Sequence, residues 1–170
     1  DKPFHTRMST TMAAHEGPIE FIGLVSTHPG SEAEAVDAGA AVIQPDYLRT
    51  LAAAHERSGF DRVLIAHSSA SPDGFTVADQ VLTHTERLGV LLAHRPGFVS
   101  PTDAARAYAT LDAFHPGRVA MHVITGGDDV DQARDGDHST KEERYRRTDD
   151  FLTVLRREWE SEVPFDHEGD

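Results

Sequence analysis

The feature that most constrains the fold is an alternation of short apolar strands with helical segments, one pair in roughly every 35 residues. The predicted strands are 19–25, 61–66, 88–93 and the stretch that begins at Arg118. The predicted helices run from Asp46 to a stop at Ser58-Gly59, over 75–87, from Ser100 to about Pro116, and over 141–159. This α/β order requires parallel strands with right-handed crossovers. Because a closed (β/α)8 barrel takes about 250 residues, the chain holds either half a barrel or a small open sheet.

The remaining stretches are predicted to lack regular structure. Residues 1–17 show no sustained period and are interpreted as a tag remnant before Met8 followed by a flexible N-terminus, which leaves 18–170 as the folded part. Residues 31–42 are predicted to be an irregular excursion, and 128–139 a polar loop. Helical spacing places Phe114, Tyr145 and Trp159 on buried helix faces.

The fourth strand carries an imidazole among apolar residues. Ala120, His122 and Ile124 share one face because side chains alternate along a strand. A strand that is apolar on both faces is typical of sheets buried on both sides, so we expect His122 to be an interior polar group. The strand ends in Thr125-Gly126-Gly127, at the sheet edge where parallel α/β proteins bind ligands.

Histidines occur at the end of each predicted strand. They are His28, His67, His94 and His122. The carboxyl ends of parallel strands meet at one edge, so this edge is predicted to be a functional site, with His122 favoured. Arg95 adds a guanidinium that can bind a sulfonate, carboxylate or phosphate in bidentate fashion. The alternative for Arg95 is an ion pair with Asp103 or another acid.

The charge and the lack of cysteine narrow the class of protein. A formal charge of -13 disfavours nucleic acid and anionic membranes as partners, since both require a basic surface. With no cysteine, disulfides and thiolate metal sites are excluded. No segment resembles a signal peptide or a membrane span, so a cytoplasmic location is predicted.

The common catalytic motifs are missing from the sequence. There is no Gly-x-Gly-x-x-Gly, Walker loop, His-Glu-x-x-His or Gly-x-Ser-x-Gly. One hypothesis open at this point is a metal-dependent barrel hydrolase that uses the strand-end histidines as ligands. Against this hypothesis, the first strand carries no His-x-His, and no inward-facing carboxylate is expected at a strand end.

Several linked motifs resemble the bacterial luciferase-like flavin monooxygenases, and within them the alkanesulfonate monooxygenase branch. They are Leu-Ala-His-Arg-Pro-Gly-Phe-Val-Ser-Pro-Thr-Asp-Ala-Ala-Arg at 92–106, Ala-Thr-Leu-Asp at 109–112, Gly-Arg at 117–118, His-Val-Ile-Thr-Gly-Gly-Asp at 122–128, Asp-Gly-Asp at 135–137, Glu-Arg-Tyr-Arg-Arg-Thr-Asp at 143–149 and Pro-Phe-Asp-His-Glu-Gly at 164–169. The resemblance covers 19–169 and implies a TIM (β/α)8 barrel of the luciferase-like type, of which this chain supplies about the first four βα units.

The resemblance also implies an activity and a site. Reduced FMN (FMNH2) from a separate NAD(P)H-dependent flavin reductase would react with O2 and oxygenate an organosulfonate, an alkanesulfonate or a sulfosugar such as sulfoquinovose, to release sulfite and an aldehyde. A homo-oligomer is expected. The implied catalytic residues are His28, Arg95 and His122. The implied flavin-binding residues are His67, Ser68, His122, Thr125 and Tyr145, with no metal ligand.

Three departures from the family pattern bear on these expectations. His122 stands where many relatives have asparagine, and the loop 68–71 has serines where alkanesulfonate enzymes often have a cysteine. The family's catalytic histidine and arginine, and much of its phosphate site, come from a second half of the barrel. A truncated, non-catalytic flavin-binding module is therefore the other alternative.

Overall fold

The structure is a computed structural model that describes residues 19–30 and 43–169. Its elements, in chain order, are β1 (Ile22–Leu24), α1 (Pro45–Arg57), β2 (Arg62–Ile65), α2 (Gly74–Thr83), β3 (Gly89–His94), α3 (Pro101–Phe114), β4 (Val119–Val123), α4 (Asp129–Arg134) and α5 (Lys141–Glu160). The predicted strand–helix alternation is confirmed in the described ranges. The predictions for 1–17 and 31–42 fall outside these ranges.

The four strands form one sheet in the order β1-β2-β3-β4. β1 pairs with β2, and β2 with β3, in parallel register, with Gly23 opposite Val63 and Val63 opposite Val90. Between β3 and β4, Val90 N donates to Arg118 O and Ile124 N donates to His94 O, so these two strands also run in the same direction. The predicted parallel α/β sheet is confirmed. The described residues form four strands, whereas a closed (β/α)8 barrel contains eight.

The chain divides into two compact units. The sheet unit comprises the described residues of Ile19–Ala93 with His115–His122, and so contains β1, β2, α1, α2 and most of β3 and β4. The helical unit comprises the described residues of His94–Phe114 and Val123–Asp170, and so contains α3, α4 and α5.

The core of the sheet unit lies on one face of the sheet. Val63 and Ile65 of β2 and Val90 and Leu92 of β3 are buried, as alternation along each strand requires. The facing helices contribute Leu48, Ala52, Val77, Ala78, Val81 and Leu82. The opposite face is less covered, because Ile22 and Leu24 of β1 remain 46% and 48% exposed.

Two charged side chains fix the loop between α2 and β3 in the sheet unit. Oε1 of Glu56, at the end of α1, accepts from the backbone N of Glu86, Arg87 and Leu88 at 2.9, 2.6 and 2.9 Å. Arg118 donates to Leu82 O, Leu88 O and Thr85 Oγ1. Burial lowers the pKa of Arg118, and the nearby Glu56 carboxylate partly offsets this. The carbonyls at the end of α2 thus have a side-chain donor.

The helical unit is built on the packing of α3 against α5. Ala104, Ala105 and Tyr108 of α3 are buried, as are Phe151 and Leu155 of α5. The ring of His94 lies 5.8 Å from that of Tyr108 and 5.1 Å from that of Phe151. Burial raises the pKa of the Tyr108 hydroxyl. The interior of this unit is therefore aromatic, with His94 as one of its members.

Residues at the ends of α5 explain where the helix starts and how it is held. Thr140 and Glu143 form a reciprocal capping box, which satisfies two backbone donors at the start of the helix. Glu143 accepts from the Thr140 hydroxyl and backbone, and these bonds lower the pKa of its carboxyl group. Near the other end, Trp159 Nε1 donates to Ala105 O at 3.1 Å.

Four sequence predictions are corrected by the structure. His122 is exposed rather than interior, because it lies on the less covered face of the sheet. Phe114 is 76% exposed and Tyr145 is 55% exposed, since the contact between α3 and α5 occupies other faces of these helices. The predicted polar loop contains α4.

Two smaller differences concern helix ends. Asp46 lies in the first turn of α1, whose N-cap is Gln44. α2 ends at Thr83, and His84 forms its C-cap, so the helix is shorter than predicted.

None of the helices within the described ranges is long and apolar enough to cross a lipid bilayer.

Candidate functional site

In the sheet unit, His28 follows β1 and is half-buried. Its Nδ1 lies 3.3 Å from Pro29 O, and its carbonyl accepts from Ser26 Oγ at 3.0 Å. Gly30 has a φ of 143°, and among the described residues the His28 ring lies beside its Cα. The imidazole is therefore held against its own turn.

The loop after β2 is a serine turn. His67 is exposed and Ser68 is half-buried. Ser68 N donates to Ser71 Oγ at 2.9 Å, the two hydroxyl oxygens lie 3.0 Å apart, and Ser71 N donates to Ser68 O at 3.0 Å. These bonds fix the loop, and its serines are half-buried. The turn is suited to hydrogen bonding with a polar ligand.

The turn that follows β4 is open to an approaching ligand. Thr125 and Gly126 are half-buried, Gly127 is exposed, and a Cβ placed on Gly127 would meet no atom of the described residues within 4 Å. Gly126 has a φ of 80°, which L-residues with side chains rarely adopt. The turn thus combines a hydroxyl group with bare backbone. These features fit a planar, hydrogen-bonding group such as a flavin ring.

Arg95 has ion-pair partners in the helical unit. Its guanidinium donates to Asp131 Oδ2 at 2.9 Å and to Asp135, and it stacks on the Phe98 ring at 4.6 Å. The side chain is 2% exposed. Asp103, the acid named in the sequence analysis, pairs with Arg106 instead. The structure therefore places Arg95 in ion pairs with other acids, and its role as a ligand clamp stays a prediction.

Arg95 is one of three arginines held by an aspartate-rich segment at 128–137. The other pairs are Arg144 with Asp129, at 2.8 Å, and Arg147 with Asp137. The Arg147 guanidinium holds the pKa of the Asp137 carboxyl group well below its usual range. The sequence signal for this arrangement was the recurrence of aspartates through 128–137, with arginines at 95, 144 and 147.

Tyr145 projects from α5 and has a cationic neighbour that sequence analysis did not select. The Lys141 Nζ lies 6.0 Å from the Tyr145 ring centroid, one helical turn away. A phenol and an ammonium on one helix face suit an anionic group such as a phosphate. Lys141 is thus added to the candidate residues.

An open cleft of about 480 Å³ lies within the helical unit. It is lined by Gly97, Phe98, Asp135, Gly136, Asp137, His138, Ser139, Glu143 and Arg147. Its three carboxylates already bind Arg95, Arg147 and the Thr140 cap. Within the described ranges, no group of three or more histidine and acidic residues is placed to hold a metal ion.

The predicted site residues are distributed over both units. His28, His67, Ser68 and His122 belong to the sheet unit, and Arg95, Thr125 and Tyr145 to the helical unit. Each lies in or after a strand, except Tyr145, which lies in α5. Their catalytic and flavin-binding roles remain predictions.

A parallel sheet of consecutive βα units, with polar groups following its strands, defines an α/β protein of the kind related to (β/α)8 enzymes. The chain belongs to the luciferase-like monooxygenase family, whose pattern it matches over residues 19–170.

Solved structures support the same fold. EDTA monooxygenase (EmoA) from Chelativorans sp. BNC1 is 20% identical, with a TM-score of 0.66 over 81% of this chain. DmoA from Hyphomicrobium sulfonivorans is 23% identical, with a TM-score of 0.64 over 82%. The oxygenating constituent of 3,6-diketocamphane monooxygenase from Pseudomonas putida, in complex with FMN, is 19% identical, with a TM-score of 0.70 over 88%. This chain covers 36%, 36% and 41% of those proteins, respectively.

Proposed function

We propose that the chain is the flavin-binding N-terminal part of a two-component monooxygenase that uses FMNH2 and O2. The observation that carries the proposal is the family match over residues 19–170. The structurally similar diketocamphane monooxygenase constituent contains FMN, which supports this cofactor. The open, glycine-containing turn after β4 supports it independently, because bare backbone lets a flat ring approach closely.

The proposed flavin-binding residues are His67, Ser68, His122, Thr125 and Tyr145, the last with Lys141 beside it. Thr125 supplies a hydroxyl group, and Tyr145 with Lys141 supplies a phenol and a positive charge for the phosphate. When bound, the reduced flavin supplies the two electrons that allow one oxygen atom of O2 to enter the substrate and the other to leave as water. The protein's part is to orient the flavin and exclude water.

The proposed substrate is an organosulfonate, either an alkanesulfonate or a sulfosugar such as sulfoquinovose, cleaved to sulfite and an aldehyde. The sequence motifs of the alkanesulfonate branch and the hydroxyl-rich turn at Ser68 and Ser71 support a polar substrate. The structurally similar EDTA monooxygenase is named for a polycarboxylate, which is consistent with an anionic substrate. His28, Arg95 and His122 are the proposed catalytic side chains, although for Arg95 the ion pairs with Asp131 and Asp135 favour a positioning role over direct contact with the substrate.

Three further parts of the proposal concern partners and location. A separate NAD(P)H-dependent reductase would supply the reduced flavin. Self-association is supported by the exposed apolar residues Phe21, Ile22 and Leu24 in and beside the edge strand β1. Native mass spectrometry of the purified protein tests it, and a strictly monomeric mass would contradict it. The cytoplasmic location stays a prediction.

Flavin binding is tested by titrating the protein with FMN and following flavin fluorescence, with reduced FMN examined anaerobically. We expect Thr125→Val, which removes the hydroxyl at nearly constant volume, to weaken binding about tenfold, and Thr125→Ser to retain it. His122→Ala should also weaken it. His84→Ala is the matched control, since His84 is an exposed C-cap whose ring bonds to Gln80 O of α2.

Oxygenation is tested by sulfite release from pentanesulfonate and from sulfoquinovose, with a flavin reductase, NAD(P)H and O2 present. Sulfite formation that depends on the flavin supports the proposed activity. FMN binding without sulfite from either compound would favour the non-catalytic flavin-binding alternative. Absence of FMN binding would refute the proposal as a whole.

A further inference from the structure

The Thr125-Gly126-Gly127 turn is packed against a buried glutamine. Gln132 of α4 is 1% exposed, and a Cβ placed on Gly126 would overlap its carboxamide, approaching Oε1 to 2.5 Å. Gly126 therefore has two reasons to be glycine, its φ of 80° and the carboxamide against its Cα. The turn and the Gln132 side chain therefore lie directly against each other.

Gln132 also organises its own segment. Its backbone N donates to Asp128 O at 3.0 Å, and its carbonyl accepts from the backbone N of Asp135 and of Asp137, each at 3.1 Å. Its Oε1 is buried and has no hydrogen-bond partner among the described residues. The side chain thus contacts the turn by packing rather than by a hydrogen bond through that oxygen.

Arg95 fixes the segment that carries Gln132. Its guanidinium binds Asp131, which precedes Gln132, and Asp135, one turn further on. Because Arg95 follows β3 directly, it links the end of that strand to α4. The chain of contacts runs from Arg95 through two carboxylates to α4, and from Gln132 to Gly126.

We infer that Arg95 and Gln132 are positioning residues that set the Thr125-Gly126-Gly127 turn for the flavin, with Arg95 acting through Asp131 and Asp135. For flavin binding the inference rests on the proposed function. It differs from the clamp hypothesis, in which the Arg95 guanidinium touches the sulfonate. The two hypotheses make opposite predictions for removal of the aspartate charges. Under the clamp hypothesis, the freed Arg95 guanidinium should bind a sulfonate more tightly. Under the positioning hypothesis, α4 is released and flavin binding should weaken.

The first test needs no flavin. Backbone 15N order parameters of Gly126 and Gly127 are measured by NMR in the unsubstituted protein, in Gln132→Ala, in Gln132→Met and in the Asp131→Asn/Asp135→Asn pair. We expect values of about 0.85 in the unsubstituted protein, falling below about 0.6 in Gln132→Ala and in the double variant. Gln132→Met retains the bulk against Gly126, so it should stay near the unsubstituted value.

The controls separate positioning from a general loss of charge or stability. Asp103→Asn removes an aspartate whose ion pair is with Arg106 of its own helix α3 rather than with Arg95, and it should leave both order parameters unchanged. If the double variant does not fold, Gln132→Ala and Gln132→Met decide the result. Unchanged order parameters in Gln132→Ala, or an equal loss in Gln132→Met, would overturn the inference.

The second test measures FMN affinity and the visible spectrum of bound FMN in the same variants. We expect the dissociation constant to rise about tenfold in Gln132→Ala and in the double variant, with a shifted flavin spectrum, and Gln132→Met to restore both. Loss of sulfonate affinity in Arg95→Lys with unchanged FMN affinity and spectrum would support the clamp and overturn the positioning role. If the unsubstituted protein binds no FMN, the proposed function fails, and the NMR result alone decides the positioning of the turn.

Discussion

Replacing Glu56 tests whether one carboxylate holds the loop between α2 and β3. Its Oε1 accepts three backbone N–H groups, from Glu86, Arg87 and Leu88, at 2.6 to 2.9 Å. The first two donors are on exposed residues, where water can replace the carboxylate, while the bond to Leu88 is partly buried. Most of the cost of substitution should therefore come from Leu88.

The magnitude follows from that difference. Glu56→Gln keeps an acceptor oxygen but removes its charge, and hydrogen bonds to charged groups are roughly twice as strong as neutral ones, so we expect a loss of about 1 kcal/mol in unfolding free energy. Glu56→Ala leaves the Leu88 N–H without its partner and should cost about 2 kcal/mol. Glu86→Gln alters an exposed side chain in the same loop and should stay within about 0.5 kcal/mol.

The pH dependence gives the result that distinguishes this account. Desolvation tends to raise the pKa of Glu56, but the bonds from Arg87, Leu88 and Glu86 outweigh it, so the pKa lies below the usual 4.5. A carboxyl group whose pKa is lowered on folding stabilises the protein at pH values above its unfolded-state pKa, and that stabilisation is lost as the pH falls through its folded-state pKa. Urea unfolding followed by circular dichroism should therefore show the Glu56→Gln penalty at pH 7 and a smaller one near pH 3. A penalty that does not change with pH would refute the reasoning.

Three other substitutions test the remaining contacts. Asp137→Asn should cost about 2 kcal/mol at pH 7, because Asp137 is buried against Arg147. Since the pKa of Asp137 is lowered in the folded state, the unfolded chain takes up this proton first as the pH falls below about 4, and urea titrations should show the Asp137→Asn penalty becoming smaller there. A penalty that grows on acidification would contradict the ion pair with Arg147. In Arg118→Lys the ammonium cannot reach Leu82 O, Leu88 O and Thr85 Oγ1 together, so urea unfolding should show a loss of about 2 kcal/mol in unfolding free energy. Arg87→Lys, on an exposed residue, is the control. Equal losses in the two variants would contradict the role of the Arg118 guanidinium. Thr140→Ala should cost about 1 kcal/mol through loss of the capping box, and Thr140→Ser should retain most of that stability; thermal unfolding that ranks serine with alanine would argue against the cap.

The strands could be predicted because their signal is local. Runs such as Arg-Val-Leu-Ile in β2 and Gly-Val-Leu-Leu-Ala in β3 have apolar content and clear turn residues after them. Parallel pairing followed from the intervening helices. The burial of His122 was predicted wrongly, because residue type alone does not tell which sheet face the rest of the molecule covers.

The role of the aspartate-rich segment could not be predicted, because its partners are distant in sequence. Asp131 and Asp135 bind Arg95, which lies 36 and 40 residues away. A helix of six residues with several charges has little apolar periodicity, so α4 was interpreted as a loop. The candidate turn after β4 was visible from its glycines, but the buried contact between Gly126 and Gln132 was not.

The three arginines held by 128–137 bear on how this region can be redesigned. Arg95 and Arg144 each expose only 2% of their side chains. A replacement segment grafted from another protein would therefore leave two buried charges without a partner, unless it placed carboxylates at the same positions. Shortening the aspartate-rich segment would remove the same carboxylates. Any successful transplant must therefore exchange both sides of these contacts at once.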